Sequence, residues 1–341
     1  MTAKGYRVAV VGATGLVGET LIEVLQQREF PVAELVTLAS ERSIGKTVSF
    51  NGKTHRVRDL AKYDFAGTDI ALFSAGGSIS AAHAPRAGAA GCVVIDNTSC
   101  FRYEADIPLV VPEVNAHALA GLRPRNIIAN PNCSTIQMVV ALKPIHDAAH
   151  ITRINVATYQ SVSGAGRRAV ETLGRQAASL LNGQPITTEG GARQIAFNCV
   201  PHIDEFQPNG YTKEEMKMVW ETRKILGDED ILVNPTAVRV PVFFGHSEAV
   251  HIETREKISA AEVRALLEQA PGITVMDEAR LGGYPTAATE AAHHDNVFVG
   301  RIREDISCER GISLWVVADN IRKGAALNSV QIAEILVRDY L

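Results

Sequence analysis

Apolar runs recur along the chain, and the residues after each run differ between its two halves. In "YRVAVVGATGLVGETLIEVLQQREFP" an unbroken β-branched run meets glycines at 12, 15 and 18, and apolar positions at helical spacing come next. That order predicts strand, tight loop and amphipathic helix. The segments "AELVTLAS", "DIALFSAGGSIS", "GCVVIDNTS" and "RNIIANPNCS" are further apolar strands ending in small or polar residues, with helix-compatible stretches such as "AAHAPRAGAAG" between them. Fully apolar strands alternating with helices predict a Rossmann-like, doubly wound parallel sheet. The carboxyl ends of its strands gather residues 12–18, 74–77, 97–99 and 130–133 on one edge, where such sheets bind ligands.

Beyond residue 150 the pattern becomes alternating, in "ITRINVATYQSV", "TAVRVPVFF", "EAVHIETREK", "NVFVGRIRED" and "ISLWVVAD". Period-two patterning with helices between some runs predicts an α+β domain with a largely antiparallel sheet. The tail "NIRKGAALNSVQIAEILVRDYL" is helix-like and is expected to return to the first domain. The expected division is therefore 1–132, completed by a C-terminal helix at 321–341, and 133–320.

A length of 341 residues with 46% hydrophobic content is enough for two domains with sizeable cores. A formal net charge of −4, with no basic stripe or run of like charge, gives no reason to expect a nucleic-acid or membrane partner. No apolar stretch approaches the roughly 20 residues that span a bilayer, and a soluble cytoplasmic protein is expected. Five scattered cysteines without a CxxC pair suit reduced thiols rather than a disulfide framework or a zinc site.

The glycine spacing carries a phosphate-binding logic. Gly12 permits the tight turn, Gly15 lets backbone N–H groups approach a pyrophosphate, and Gly18 lets helix and strand pack closely. After the second strand, "ASERSIGK" offers Ser40, Arg42 and Lys46 where an NAD-binding chain usually carries an acid, and these suit the 2′-phosphate of NADP. Glu41 adds a conflicting charge. The alternative reading is an ordinary charged loop.

Cys133 stands apart among the thiols. It lies between Asn132 and Ser134 at a strand-to-helix junction, where a helix N-terminus lowers a thiol pKa and offers N–H donors to an oxyanion. That makes it the candidate nucleophile. Cys92, Cys199 and Cys308, flanked by apolar or strand-like sequence, are expected to pack as small hydrophobes. A thiol beside a nicotinamide can hold an acyl group or thiohemiacetal that exchanges hydride with the cofactor, and such chemistry needs a base. His246, read as the end of an alternating strand beside Gly245, is the preferred candidate. His293, His294 and Asp295 have no HxH or HExxH spacing, and no metal is expected.

The segments "GATGLVG", "SAGGSIS", "NTSCFR", "NPNCST", "TYQSVSGAG", "EEMKMVWETRKI", "RVPVFFGHSE" and "NIRKGAALNSVQIAE", in this order over the whole chain, resemble aspartate-β-semialdehyde dehydrogenase of the bacterial type. The resemblance implies NADPH-dependent reductive dephosphorylation of L-4-aspartyl phosphate to L-aspartate 4-semialdehyde, in lysine, threonine, methionine and diaminopimelate biosynthesis. It implies Cys133 as nucleophile, His246 as general acid/base and Gln160 as the residue orienting thioester and substrate. Arg239 would hold the substrate carboxylate and Glu214 its amino group. Arg102 and Lys217 would bind phosphate, with Asn97 near them. NADP would touch Gly12, Thr14, Gly15, Leu16, Val17, Ser40, Arg42, Ser163, Gly164 and Asn320. Residues 1–132 would bind NADP and 133–320 would carry catalysis and dimerisation, since members are usually homodimers or homotetramers.

The residue types suit that substrate. Amine, carboxylate and acyl phosphate call for an anion, a bidentate cation and a separate cationic pocket. Taken singly, Arg102, Glu214 and Lys217 would read as a solvated charged face. One rival is N-acetyl-γ-glutamyl-phosphate reductase, which usually surrounds its thiol with a "GCYPT"-like sequence where this chain has "NPNCST". The other is a non-catalytic nucleotide-binding paralogue, which intact Cys133, Gln160, Arg239 and His246 argue against.

Overall fold

The computed structural model describes residues 5–123, 125–188 and 192–341, and the chain divides into two compact units. The first comprises residues 1–132 and 324–341, and the second residues 133–323. In the first, β1 (Tyr6–Val11) leads through the glycine turn into α1 (Leu16–Gln27) and then β2 (Val32–Ala39). A small hairpin of β3 (Thr47–Phe50) and β4 (Lys53–Arg56) follows, then β5 (Arg58–Asp59), β6 (Ile70–Phe73) and α2 (Gly77–Ala89). β7 (Val93–Asp96), the short α3 (Pro112–Asn115) and β8 (Ile127–Ala129) complete this pass.

These strands make a six-stranded, wholly parallel sheet in the order β5-β2-β1-β6-β7-β8. Residues of β6 and β7 are buried throughout, the cause of their continuous apolar sequence. The order reverses between β1 and β6, and Gly12 and Ser74 follow those strands. Gly12 has φ 88°, and a Cβ there would lie 3.0 Å from Ser74 backbone. A Cβ on Gly18 would meet Gly12 O at 2.1 Å, so the first turn of α1 reaches its strand only through glycine.

The second unit opens with α4 (Cys133–Ala149), followed by β9 (Ile151–Gln160), α5 (Arg167–Leu181), α6 (Lys213–Leu226), β10 (Leu232–Arg239) and β11 (His246–Thr254). Then come α7 (Ala260–Gln269), β12 (Ile273–Val275), β13 (Val297–Glu304) and β14 (Gly311–Ala318). The sheet order is β10-β9-β11-β14-β13-β12. β9–β11, β11–β14 and β13–β14 are antiparallel, while the outer pairs β10–β9 and β12–β13 are parallel. The sheet is thus mixed and largely antiparallel. α4, α6 and α7 pack on one face. Along β9, Ile154, Val156, Thr158 and Gln160 are buried while Arg153, Asn155 and Tyr159 are exposed, which is the alternation the sequence shows.

The chain ends in α8 (Leu327–Asp339), in the first unit. There Leu327, Val330, Ala333 and Leu336 share a core with Leu21 and Leu25 of α1 and with Val8, Leu72 and Ile95 of the sheet. Among the described residues no helix is long and apolar enough to cross a membrane.

Two local expectations are corrected. His246 begins β11 instead of ending a strand, because β10 stops at Arg239 and Gly245, at φ 86°, turns the chain back. Cys199 is exposed and Cys308 half-buried, so only Cys92 of that trio is a fully buried thiol. All five cysteines are unbridged.

Candidate active site

Cys133 is the first residue of α4, so its sulfur sits in the first turn, where the helix carries partial positive charge. The other elements of the second unit bring polar side chains toward it. β10 ends in Arg239, whose Nη1 donates to Ser161 O at 2.7 Å. Burial lowers the Arg239 pKa, and the nearby Glu214 and Cys133 charges oppose that shift, which ties the guanidinium electrostatically to the thiol. Gln160, the last residue of β9, donates to Glu214 Oε1 at 3.2 Å.

Glu214 and Lys217 lie one turn apart on α6. Lys217 Nζ donates to Glu214 Oε2 at 2.9 Å and to Asp204 Oδ2 at 2.7 Å. Burial works against the ammonium, but the two carboxylates outweigh it and raise its pKa. The helix is secured by a capping box in which Thr212 Oγ1 accepts from Glu215 N and Glu215 Oε2 accepts from Thr212 N.

His246 is wholly buried. Its Nδ1 accepts from Ser161 N at 3.1 Å, and among the described residues Nε2 has no hydrogen-bond partner. Burial, with help from Arg239, lowers its pKa to about 3 against the opposing Glu214 charge, so the ring is neutral at physiological pH. Ser163 and Asn320 are buried in the same neighbourhood, with Asn320 Nδ2 donating to Ser163 Oγ at 3.0 Å. Gly164 borders both the guanidinium and the imidazole: a Cβ there would come within 3.1 Å of Arg239 Nη1 and 3.4 Å of His246 Nε2. Cys133, Gln160, Ser163, Gly164, Glu214, Lys217, Arg239, His246 and Asn320 thus belong to one unit.

The remaining candidates lie in the first unit. Arg102 is buried and donates from Nε to Asn130 O and from Nη2 to Asn97 O, both at 2.9 Å. The Asn97 amide donates to Phe73 O and accepts from Ser329 Oγ, each at 3.0 Å. The glycine turn fits a dinucleotide: the N-cap of α1 is Gly15, which has no side chain to cap the first-turn N–H groups, and a helix N-terminus of that kind suits a phosphate. Thr14 Oγ1 lies 3.2 Å from Ser43 Oγ, and Ser40 and Arg42 are exposed just beyond β2.

Three participants were not read from the sequence. Ser161 touches His246, Asp204 touches Lys217, and Glu248 is completely buried on β11, where among the described residues neither carboxylate oxygen meets a partner at hydrogen-bond geometry. The Gln137 amide is its polar neighbour, and Gln137 Nε2 donates to His246 O at 3.4 Å. Glu248 had a signal, since two residues from His246 on a strand means the same face. Ser161 and Asp204 had none, because their partners are remote in sequence. The one three-residue cluster of metal-ligand type among the described residues is His146, His150 and Asp228. His146 Nδ1 accepts from Ile151 N at 3.2 Å, which leaves its proton on Nε2, so that ring offers no lone pair to a cation.

Comparison with known proteins agrees with this architecture. The family described as semialdehyde dehydrogenase, NAD binding domain, matches residues 7–122, and semialdehyde dehydrogenase, dimerisation domain, matches 142–323. Aspartate-semialdehyde dehydrogenase of Legionella pneumophila is 62% identical over 99% of this chain and 98% of that protein. Aspartate-semialdehyde dehydrogenase 2 of Vibrio cholerae is 64% identical over 99% of each. A crystal structure of aspartate semialdehyde dehydrogenase II from Vibrio cholerae complexed with ASA superposes with a TM-score of 0.97 at 63% identity, covering 99% of this chain and 100% of the other. The Candida albicans enzyme crystallised with NADP gives a TM-score of 0.76 at 26% identity, covering 98% of each.

Proposed function

The chain belongs to the aspartate-semialdehyde dehydrogenase family, and from that premise we propose that it reduces L-4-aspartyl phosphate to L-aspartate 4-semialdehyde, with release of phosphate, through a Cys133 thioester. The observation that carries this reading is the grouping of Arg239, Glu214, Gln160 and His246 with a thiol at the mouth of α4. An amino-acid substrate presents a carboxylate and an ammonium. Arg239 keeps a planar fork for the first, and Glu214 supplies an anion for the second.

The Cys133 sulfur attacks the acyl carbon, and the helix N-terminus favours the thiolate form. Gln160, held by Glu214, orients the acyl group, and His246 serves its carbonyl oxygen. Lys217 and Arg102, with Asn97, bind the phosphate group. Lys217 is held by Asp204 and Glu214, so phosphate has to compete with a carboxylate for the ammonium. Residues Gly12, Thr14, Gly15, Leu16 and Val17 hold the pyrophosphate of NADP, Ser40 and Arg42 its 2′-phosphate, and Ser163, Gly164 and Asn320 the nicotinamide end. When bound, NADPH supplies the hydride that takes the thioester to the aldehyde. In the same reading residues 133–320 form the catalytic and dimerisation domain of a homodimer, and unbridged thiols suit the cytoplasm.

The test is NADP reduction by the purified protein with aspartate semialdehyde, with and without phosphate, beside N-acetylglutamate semialdehyde. We expect phosphate-dependent turnover of the first alone, and a loss on the order of 10⁴-fold or more in Cys133→Ala with NADP binding retained. Preference for the acetylated substrate, or an active Cys133→Ala, would refute the assignment.

A further inference from the structure

Asp96, the last residue of β7, is a completely buried acid outside the residues assigned to the reaction. Three donors converge on its carboxylate. Ser80 Oγ of α2 donates to Oδ1 at 2.7 Å. Thr98 donates twice, from its backbone N to Oδ1 at 3.1 Å and from Oγ1 to Oδ2 at 2.7 Å. Burial raises the Asp96 pKa, and these hydrogen bonds and the nearby Arg102 charge oppose the rise.

The bond from Thr98 N bears on the other side of the same peptide unit. In a trans peptide the C=O and N–H point in opposite directions. With its N–H turned to Asp96, the peptide between Asn97 and Thr98 points the Asn97 carbonyl the other way, where it accepts from Arg102 Nη2 at 2.9 Å. Carboxylate, peptide and guanidinium form one line. The anion meets the positive end of the peptide dipole and the cation its negative end, so each bond polarises and strengthens the other. The second support of Arg102 is also tied to this residue: Asp96 O accepts from Asn130 N at 2.8 Å, and Asn130 O accepts from Arg102 Nε at 2.9 Å. The Asn97 side chain is engaged elsewhere, by Phe73 O and Ser329 Oγ, so at position 97 the backbone carbonyl is what meets the guanidinium.

We propose that Asp96 is the positioning residue of Arg102: its carboxylate, acting through the peptide between Asn97 and Thr98, sets the direction of the guanidinium that receives phosphate. The inference rests on the reading of Arg102 as a phosphate-binding residue. A guanidinium recognises phosphate through a planar fork, so its use depends on the plane in which it is held. Two backbone carbonyls define that plane, and Asp96 holds the peptide that carries one of them. Without the carboxylate the Thr98 N–H loses its acceptor, the peptide is released to rotate, and the fork turns with it.

Steady-state kinetics of the full-length protein test this, with phosphate varied at saturating aspartate semialdehyde and NADP. Asp96→Ala should raise the phosphate KM by about 10-fold or more, the order of one hydrogen bond to a charged group, and leave the other two KM values within about 2-fold. Asp96→Asn keeps an oxygen for Thr98 N and should stay within about 3-fold of wild type, because the carboxylate acts by geometry. Ser80→Ala removes a different partner of the same carboxylate, and should lower Tm without moving the phosphate KM. An unchanged phosphate KM in Asp96→Ala, or a rise as large in Asp96→Asn or Ser80→Ala, would overturn the proposal. In an Arg102→Gln background Asp96→Ala should add nothing, since no guanidinium is left to position, and a further rise there would overturn it as well. Should Asp96→Ala fail to fold, Asp96→Ser, whose single hydroxyl is too short to span Ser80 and Thr98, takes its place in each comparison. A wild-type phosphate KM in Arg102→Gln alone would count instead against Arg102 as a phosphate ligand, and the role of Asp96 would fall with it.

Discussion

Gly164 shows how much of this site depends on an absent side chain. Its φ is not in the left-handed region, so alanine is permitted by the backbone, yet its Cβ would press on Arg239 Nη1 at 3.1 Å. Since misplacement by about 1 Å can cost on the order of 100-fold, a shift of a few tenths should cost several-fold in kcat/KM for aspartate semialdehyde. Gly174→Ala on α5, where a Cβ meets nothing within 4 Å, should leave kcat/KM unchanged. Steady-state kinetics of the two variants decide between a steric and a general glycine effect. Glu248 is the opposite case, a side chain whose presence is costly. Burial raises its pKa well above the ordinary carboxylate value, despite the Gln137 amide. Because the folded chain keeps a proton that the unfolded chain releases, stability falls as pH rises from the unfolded pKa toward the folded one. Glu248→Gln removes that linkage, so its gain in Tm over wild type should be near zero at about pH 4 and grow as the pH rises above the ordinary glutamate range. A pH-independent difference in thermal melts would mean Glu248 is not a buried neutral acid.

At the scale of elements, α6 is the piece whose placement matters most, because one turn of it carries both Glu214 and Lys217. Its capping box is linked to the sheet, since Glu215 Oε1 accepts from Ala237 N of β10 at 2.9 Å. Thr212→Ala should cost about 1 kcal/mol, measurable by denaturant titration, and fraying of the first turn should raise the KM for aspartate semialdehyde more than it lowers kcat. Unchanged stability would show that Glu215 alone secures the helix end. The same scale explains what the sequence disclosed. The glycine turn and the thiol at the start of α4 are local features, complete within a few residues, and both were legible. The position of His246 was misread because Val240 and Val242 continue the alternation of β10, whereas pairing with β9 stops at Arg239. Where a strand loses its partner is not written in its own periodicity. The Ser161 contact, 85 residues away in sequence, exists only because β11 runs antiparallel to β9. Asp204, 13 residues before Lys217 at a φ of 68°, was equally invisible.

For the whole molecule the consequential surface is the face of the second sheet away from α4, α6 and α7, whose β14 side is partly covered by the segment around Ala287 and Ala291. α4, α6 and α7 cover one side, and on the other Ala157, Ala249 and Trp315 lie abreast on β9, β11 and β14, with Tyr159 against Trp315 at a ring separation of 5.6 Å. Tyr159 is 37% exposed, and Ala157, Ala249 and Trp315 are half-buried in the single chain. Small and aromatic side chains in adjacent rows suit a flat, self-complementary contact, the kind that two copies related by a twofold axis can share. If this face is the homodimer interface, an arginine at position 249 would be buried without a partner across the contact, which is strongly unfavourable, yet in the monomer it could extend into water. Ala249→Arg should therefore sediment at half the mass of wild type while its far-ultraviolet circular dichroism is preserved. Ala249→Ser, with a small neutral side chain, should remain dimeric and controls for disturbance of the strand itself. Wild-type sedimentation by Ala249→Arg would place the subunit contact elsewhere on the chain. Should it sediment as a monomer, its kcat would further show whether the Cys133 site is complete within one chain: the contacts of Gln160 with Glu214, of Arg239 with Ser161 and of Ser161 with His246 are all formed within the chain, so turnover per chain should persist to the extent that β9 and β11 keep Gln160 and His246 in place.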